Sequence, residues 1–213
     1  LNRTHGRLAF GVLLFHDLAI VPFLALAGVL ASPEDQYTTP EIALAVTKEQ
    51  LRRARWHSGL GQAHLALSDF ARCRADFYAA LELLGHAVPR TPLRLGAGML
   101  AELAKQAASH LGRQAGGREP PTPAEATILT ERTDALRILS KAFFHENNSS
   151  QVLYANLCDL NYAERLGPSP ALALIYSHML LTLGVFQLHR WARSYGRRSL
   201  EIARGLDDAR RTP

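Results

Sequence analysis

The sequence predicts an all-α chain in two unlike parts, one transmembrane helix followed by an array of amphipathic helices. Three observations carry this. Residues 8–31 form an apolar run interrupted only by His16 and Asp17, and a bilayer is crossed by roughly 20 such residues. Beyond it, three helix starts share one signature, a hydroxyl cap followed by proline: Thr39-Pro40, Thr122-Pro123 and Ser169-Pro170. No alternating run rich in β-branched residues is long enough to form a strand.

Composition bounds the function classes. At 213 residues and 47% hydrophobic the chain can bury a core, so it is not a disordered polymer. Mean hydropathy near zero excludes a polytopic membrane protein. Two cysteines without a CxxC pair exclude a disulfide scaffold and a zinc ribbon. The net charge is +5, and the excess gathers at the C-terminal end, with seven arginines from Arg190 to Arg211. That stretch reads as a solvated helix face. It lacks the interleaved aromatics of an RNA-binding sheet and any helix-turn-helix pattern, so nucleic acid is not expected as a partner.

In chain order, the transmembrane helix comes first. Arg3 and Arg7 precede it; Lys48, Arg52, Arg53 and Arg55 follow. These votes oppose each other under the positive-inside rule, and the helical domain is expected on the cytoplasmic side. An acid inside an apolar helix defaults to function, since it costs about 2.5–3.5 kcal/mol to insert. Asp17 can hold a cation as carboxylate or a proton as acid. His16 titrates near neutral pH. Pro22 removes a backbone donor and frees a carbonyl at similar depth.

The stretch His5-Gly6-Arg7-Leu8-Ala9-Phe10, then Leu13-Leu14-Phe15-His16-Asp17-Leu18-Ala19-Ile20-Val21-Pro22, resembles one helix of the cation:proton antiporter-2 family, which includes the potassium-efflux antiporters. The resemblance covers residues 4–31 and implies that Asp17 is the ion- and proton-binding carboxylate. His16 stands where the family usually has Gln. One span cannot enclose an ion path, so a fragment of such an antiporter, carrying a monovalent cation and a proton, is the alternative reading rather than the first.

Helices are expected near 40–67, 69–85, 91–111, 123–145, 149–166, 170–184 and 186–204, with stops at Gly85, Gly112, Gly167 and Gly205. Thr122-Pro123-Ala124-Glu125 reads as a capping box. The domains are then 1–33, the transmembrane helix; 34–112, helices with a first repeat unit; 113–122, a Gly/Pro-rich linker; and 123–213, helices with a second and a third unit.

Within residues 61–81, Gly61, His64, Phe70, Cys73, Phe77 and Ala80 read small, large, aromatic, small, aromatic and small. Small residues let two helices approach, and large ones fill the groove between repeats. With the turn Leu67-Ser68-Asp69-Phe70, this segment resembles a tetratricopeptide repeat. A second unit is expected near 136–165. A third is expected near 171–204, turning at Leu183-Gly184-Val185-Phe186 with Gln187 and Leu188 as two extra residues. Leu83-Leu84-Gly85-His86-Ala87-Val88-Pro89-Arg90, Leu153-Tyr154-Ala155-Asn156-Leu157 and Asn161-Tyr162-Ala163-Glu164-Arg165 are similar to the helical-repeat tail of AAA-type signalling ATPases with cyclase or kinase modules. That resemblance covers residues 55–205 and implies a sensing or scaffolding tail. The two resembled families are not normally joined, which a gene fusion would explain, and the start at Leu1 reads as that of a fragment or a processed chain.

No GxxxxGK[ST] loop, HExxH pair or GxSxG elbow occurs in the sequence. The expectation is therefore a non-catalytic protein-interaction module without metal or cofactor. It binds a protein or peptide on its repeat surface and is attached to a membrane through residues 8–31.

Overall fold

A computed structural model describes residues 48–114 and 120–211, and their side chains apart from 109–114 and 209–211. The described residues form seven helices and no strand: α1 Lys48–Ala66, α2 Phe70–Leu83, α3 Pro92–Gln114, α4 Pro123–His145, α5 Ser149–Leu166, α6 Pro170–Val185 and α7 His189–Arg211. The chain is all-α over this range. The span expected at residues 8–31 and the start at Thr39-Pro40 lie outside the described residues. Among the described residues, no helix is long and apolar enough to cross a membrane.

Local chemistry explains most boundaries. Thr122 Oγ1 accepts from the Glu125 amide while Glu125 reaches back to the Thr122 amide, the reciprocal box that opens α4. Ser169 Oγ caps α6 by accepting from the Leu172 amide at 3.2 Å, without a reciprocal arm. Asp69 and Asn148 cap α2 and α5 through the amides of Arg72 and Gln151. Gly85 (φ 74°) and Gly167 (φ 88°) do end helices. Gly112 and Gly205 do not, because α3 runs on to Gln114 and α7 to Arg211. A helical glycine is about 1 kcal/mol worse than alanine, which by itself is too little to end a helix.

Six helices pair as three hairpins, α1/α2, α4/α5 and α6/α7, and all three turn alike. One residue takes the left-handed conformation in each turn: Ser68 (φ 58°), Asn147 (φ 57°) and Gln187 (φ 60°). The next amide then donates back into the first helix, Asp69 to His64 O, Asn148 to Phe143 O and Leu188 to Leu183 O, each at 2.9 Å. These 6→1 bonds satisfy carbonyls the helix end leaves free. The third turn differs from its expectation. Gly184 stays helical, so Gln187 and Leu188 are the counterparts of Ser68 and Asp69 and not an insertion.

The turns fix a common register. Asn147 lies 79 residues after Ser68, and Gln187 a further 40 after Asn147. Gly61 and Phe77 then correspond to Ser140 and Asn156, and to Leu180 and Gly196. Each pair meets across its hairpin: Gly61 lies against the Phe77 ring, Ser140 Oγ donates to Asn156 Oδ1 at 2.9 Å, and Gly196 lies against Leu180. Between hairpins, α2 packs on α4 and α5 on α6. Cys73, Phe77 and Leu81 of α2 share one buried cluster with Ala135, Leu139 and Ala142 of α4. Leu157 and Leu160 of α5 share another with Ile175 and Met179 of α6. Helix α3 belongs to no hairpin. It packs on α5, with Gly98 close under Tyr154.

Candidate functional site: the face of the first helices

Because the hairpins share a register, their first helices α1, α4 and α6 turn equivalent positions to one side. One contact shows the adjacency of α1 and α4 directly. Arg55 of α1 donates to Glu131 of α4 at 2.7 Å. His178 of α6 is half-buried, and the charges of Lys141 and Arg137 of α4 reach it although α4 and α6 do not pack on each other. Burial, and then the two cations, hold its imidazole below the ordinary histidine value. His178 therefore faces the surface as a neutral ring at pH 7.

The character of this face changes along the stack. At the α1 end it carries Arg55 and open backbone at Gly59. Across α4 it carries Glu131, Asp134 and Lys141. At the α6 end it is apolar: Leu174 is 42% exposed, Leu181 67% and Val185 73%. Leu174, His178, Leu181 and Val185 lie at i, i+4, i+7 and i+11, one stripe of α6. Sequence reasoning did not single these residues out. The signal was present: α6 carries apolar residues around most of its circumference, more than packing on α5 and α7 buries. A solvated apolar stripe on an otherwise charged surface marks a contact site.

The residues expected to pack the first unit are distributed as follows. Cys73, Phe77 and Ala80 are fully buried and Gly61 is buried. Phe70 is half-buried and stacks on His145 of the next hairpin, ring centroids 5.2 Å apart. His64 is half-buried, with Nδ1 2.9 Å from Asp76 Oδ2, while His57 meets the other oxygen at 3.1 Å. Asp17, His16 and Pro22 lie outside the described residues.

The interior holds polar groups that are structural in character. Arg132 is 1% exposed. Its guanidinium donates through Nε and Nη2 to the carbonyl of Leu84, at the C-terminal end of α2, and lies over the Tyr162 ring. A cation there meets the negative end of the helix dipole. Between α3 and α5, Asn161 donates to Glu102 Oε2 at 2.6 Å and accepts from Gln106 at 2.8 Å. Glu164 joins that network to Tyr176 of α6 at 2.8 Å.

Both cysteines are buried and free. Burial pushes the Cys73 thiol up to about 11 and raises that of Cys158 as well, which is the reverse of an activated thiolate. Among the described residues, no three His, Cys, Asp or Glu side chains gather as a metal site.

No family model matches the chain, and neither a curated protein nor a solved structure matches it. The functional reading therefore rests on the surface itself.

Proposed function

We propose that this chain is a tetratricopeptide-like helical-repeat module without catalytic activity. It binds a partner peptide or helix across the face of α1, α4 and α6 and is attached to a membrane through residues 8–31. The observation that carries the reading is the thrice-repeated turn at Ser68, Asn147 and Gln187. Equal turns give equal register, and equal register lines up three first helices as one continuous surface. A further feature supports it. The surface ends in the exposed stripe Leu174, Leu181 and Val185, which suits an apolar anchor of the partner.

The experiment is a peptide-display selection against the full chain, followed by affinity measurement on two variants. Leu181→Arg places a charge in the stripe and should abolish binding of the selected peptides. Leu200→Arg is as exposed a change, but on α7, and should leave binding intact. Equal loss in both, or in neither, removes the reading.

A further inference from the structure

Helix α1 carries a second apolar stripe, on a side the hairpin register identifies. Trp56, Leu60, Ala63 and Leu67 correspond to Ala135, Leu139, Ala142 and Glu146 of the second hairpin, and to Ile175, Met179, Thr182 and Phe186 of the third. In those hairpins the positions are occupied. Ala135, Leu139 and Ala142 are buried in the cluster that holds α2, and Glu146 pairs with Arg74 of α2. Ile175 and Met179 are buried with α5, and Thr182 accepts from Asn156 of α5 at 2.9 Å. In the first hairpin the same positions are solvated: Trp56 is 76% exposed, Leu60 43% and Leu67 76%. The molecule thus shows twice what covers this face, an amphipathic helix running antiparallel to it.

Charge narrows the occupant. Beside Trp56 lies a shallow hollow lined by Glu49, Arg52, Arg53, Arg55 and Trp56. Glu49 is shared between Arg52 and Arg53, so positive charge stays in excess there. On α5 the carboxylate nearest the equivalent place is Glu164, near the helix C-terminal end, which accepts from Tyr176, the counterpart of His57 one position past Trp56. The opposite end of the stack does not complement the stripe. The ridge of α5 reading Leu153, Leu157, Leu160 and Glu164 becomes Arg193, Arg197, Leu200 and Arg204 on α7. A second copy stacked end to end would set arginines against arginines.

We propose that the Trp56–Leu60–Ala63–Leu67 face of α1 docks an amphipathic helix of a partner protein. That helix lies antiparallel to α1, with an apolar i, i+4 ridge and carboxylates in its last two turns beside Arg52 and Arg53. This surface meets the face of α1, α4 and α6 at Arg55 but lies on the Trp56 side of α1 and does not depend on that face.

The test uses the full chain in lipid nanodiscs with Trp191→Phe, so that Trp56 is the sole tryptophan. The probe is a synthetic peptide of residues 148–167 carrying Cys158→Ala, the helix that covers the equivalent face of α6. The expected result is iodide-accessible Trp56 in the free chain and a saturable blue shift with several-fold lower quenching as peptide is added. A sequence-scrambled peptide should do nothing. Leu60→Asp should abolish the response and Arg53→Glu should weaken it several-fold. Both residues are exposed, and unchanged circular dichroism verifies that the variants fold. Three results overturn the proposal. One is a Trp56 signal that does not respond to the peptide, and another is a response that survives Leu60→Asp. The third is a Trp56 already shielded before addition, whether constantly, by residues 1–47 or lipid, or increasingly with concentration and doubled mass, by a second copy.

Discussion

Gly61 lies under the Phe77 ring with no room for a methyl group: a Cβ built there would stand 2.6 Å from ring Cε2. Gly59, two residues earlier on the same helix, faces open space. The two positions separate helix propensity from packing. Gly59→Ala should stabilise the fold by about 0.5–1 kcal/mol through reduced backbone entropy. Gly61→Ala gains the same term but overpacks the hairpin, which typically costs about 1–3 kcal/mol. Urea denaturation of both variants checks this; a Gly61→Ala chain as stable as Gly59→Ala would show that α1 and α2 are not in this contact.

Arg132 closes the end of α2, so its loss should be felt across hairpins. Arg132→Ala leaves the buried Leu84 carbonyl without its donors and opens a large void. A destabilisation of about 3 kcal/mol or more is expected. Arg132→Lys should recover little, since an ammonium cannot supply the two fixed donors of a guanidinium. The midpoint of urea unfolding at unchanged slope is the readout.

Two buried groups bend the pH dependence in opposite directions. Burial raises the Asp159 carboxyl to about 8, with Arg137 opposing. Between the unfolded value near 4 and that value, the native state holds a proton the unfolded chain has lost. Stability therefore falls as pH rises, by at most about 1.4 kcal/mol per unit. Burial, with help from Arg132, lowers the His86 imidazole to about 3. From there to the unfolded value near 6.5, the unfolded chain holds the extra proton, and stability rises with pH. The slopes cancel between about pH 4 and 6.5. Above that range the Asp159 slope stands alone until about pH 8. In Asp159→Asn the decline above pH 6.5 should vanish, as followed by thermal melts from pH 4 to 9.

Helix α3 should come loose without unfolding the hairpins. Asn161→Ala deletes the donor to Glu102 and the acceptor for Gln106, and an unsatisfied buried group costs about 1–3 kcal/mol. Because, among the described residues, α5 is the one helix that α3 packs on, native-state hydrogen exchange should quicken across α3 and change little in α6 and α7. Uniform acceleration over all helices would contradict this arrangement.

The helices were legible because their ends are written in local chemistry. Thr122-Pro123 and Ser169-Pro170 start helices where expected, and Gly85 and Gly167 end them in the left-handed conformation. Gly112, Gly184 and Gly205 misled because a glycine within a helix and one beyond it are the same letter. The third turn was misplaced for that reason, with Gln187 doing what a glycine would advertise. Arg132 was illegible because a buried arginine reads as a surface one until its carbonyl partner, 48 residues back in sequence, is brought to it. The α6 stripe was legible in principle, as a helix with more apolar sides than neighbours. Which sides stay open depends on hairpin register, and composition does not carry that.

The most direct test asks whether three hairpins act as one surface. A peptide selected on the full chain is titrated against Arg55→Glu on α1, Lys141→Glu on α4 and Leu181→Arg on α6, with Leu200→Arg on α7 as reference. A shared face predicts that each of the first three weakens binding by about tenfold or more, equivalent to about 1.4 kcal/mol, while the reference matches the parent. Loss confined to one hairpin, or equal loss at Leu200, would contradict a continuous face of first helices.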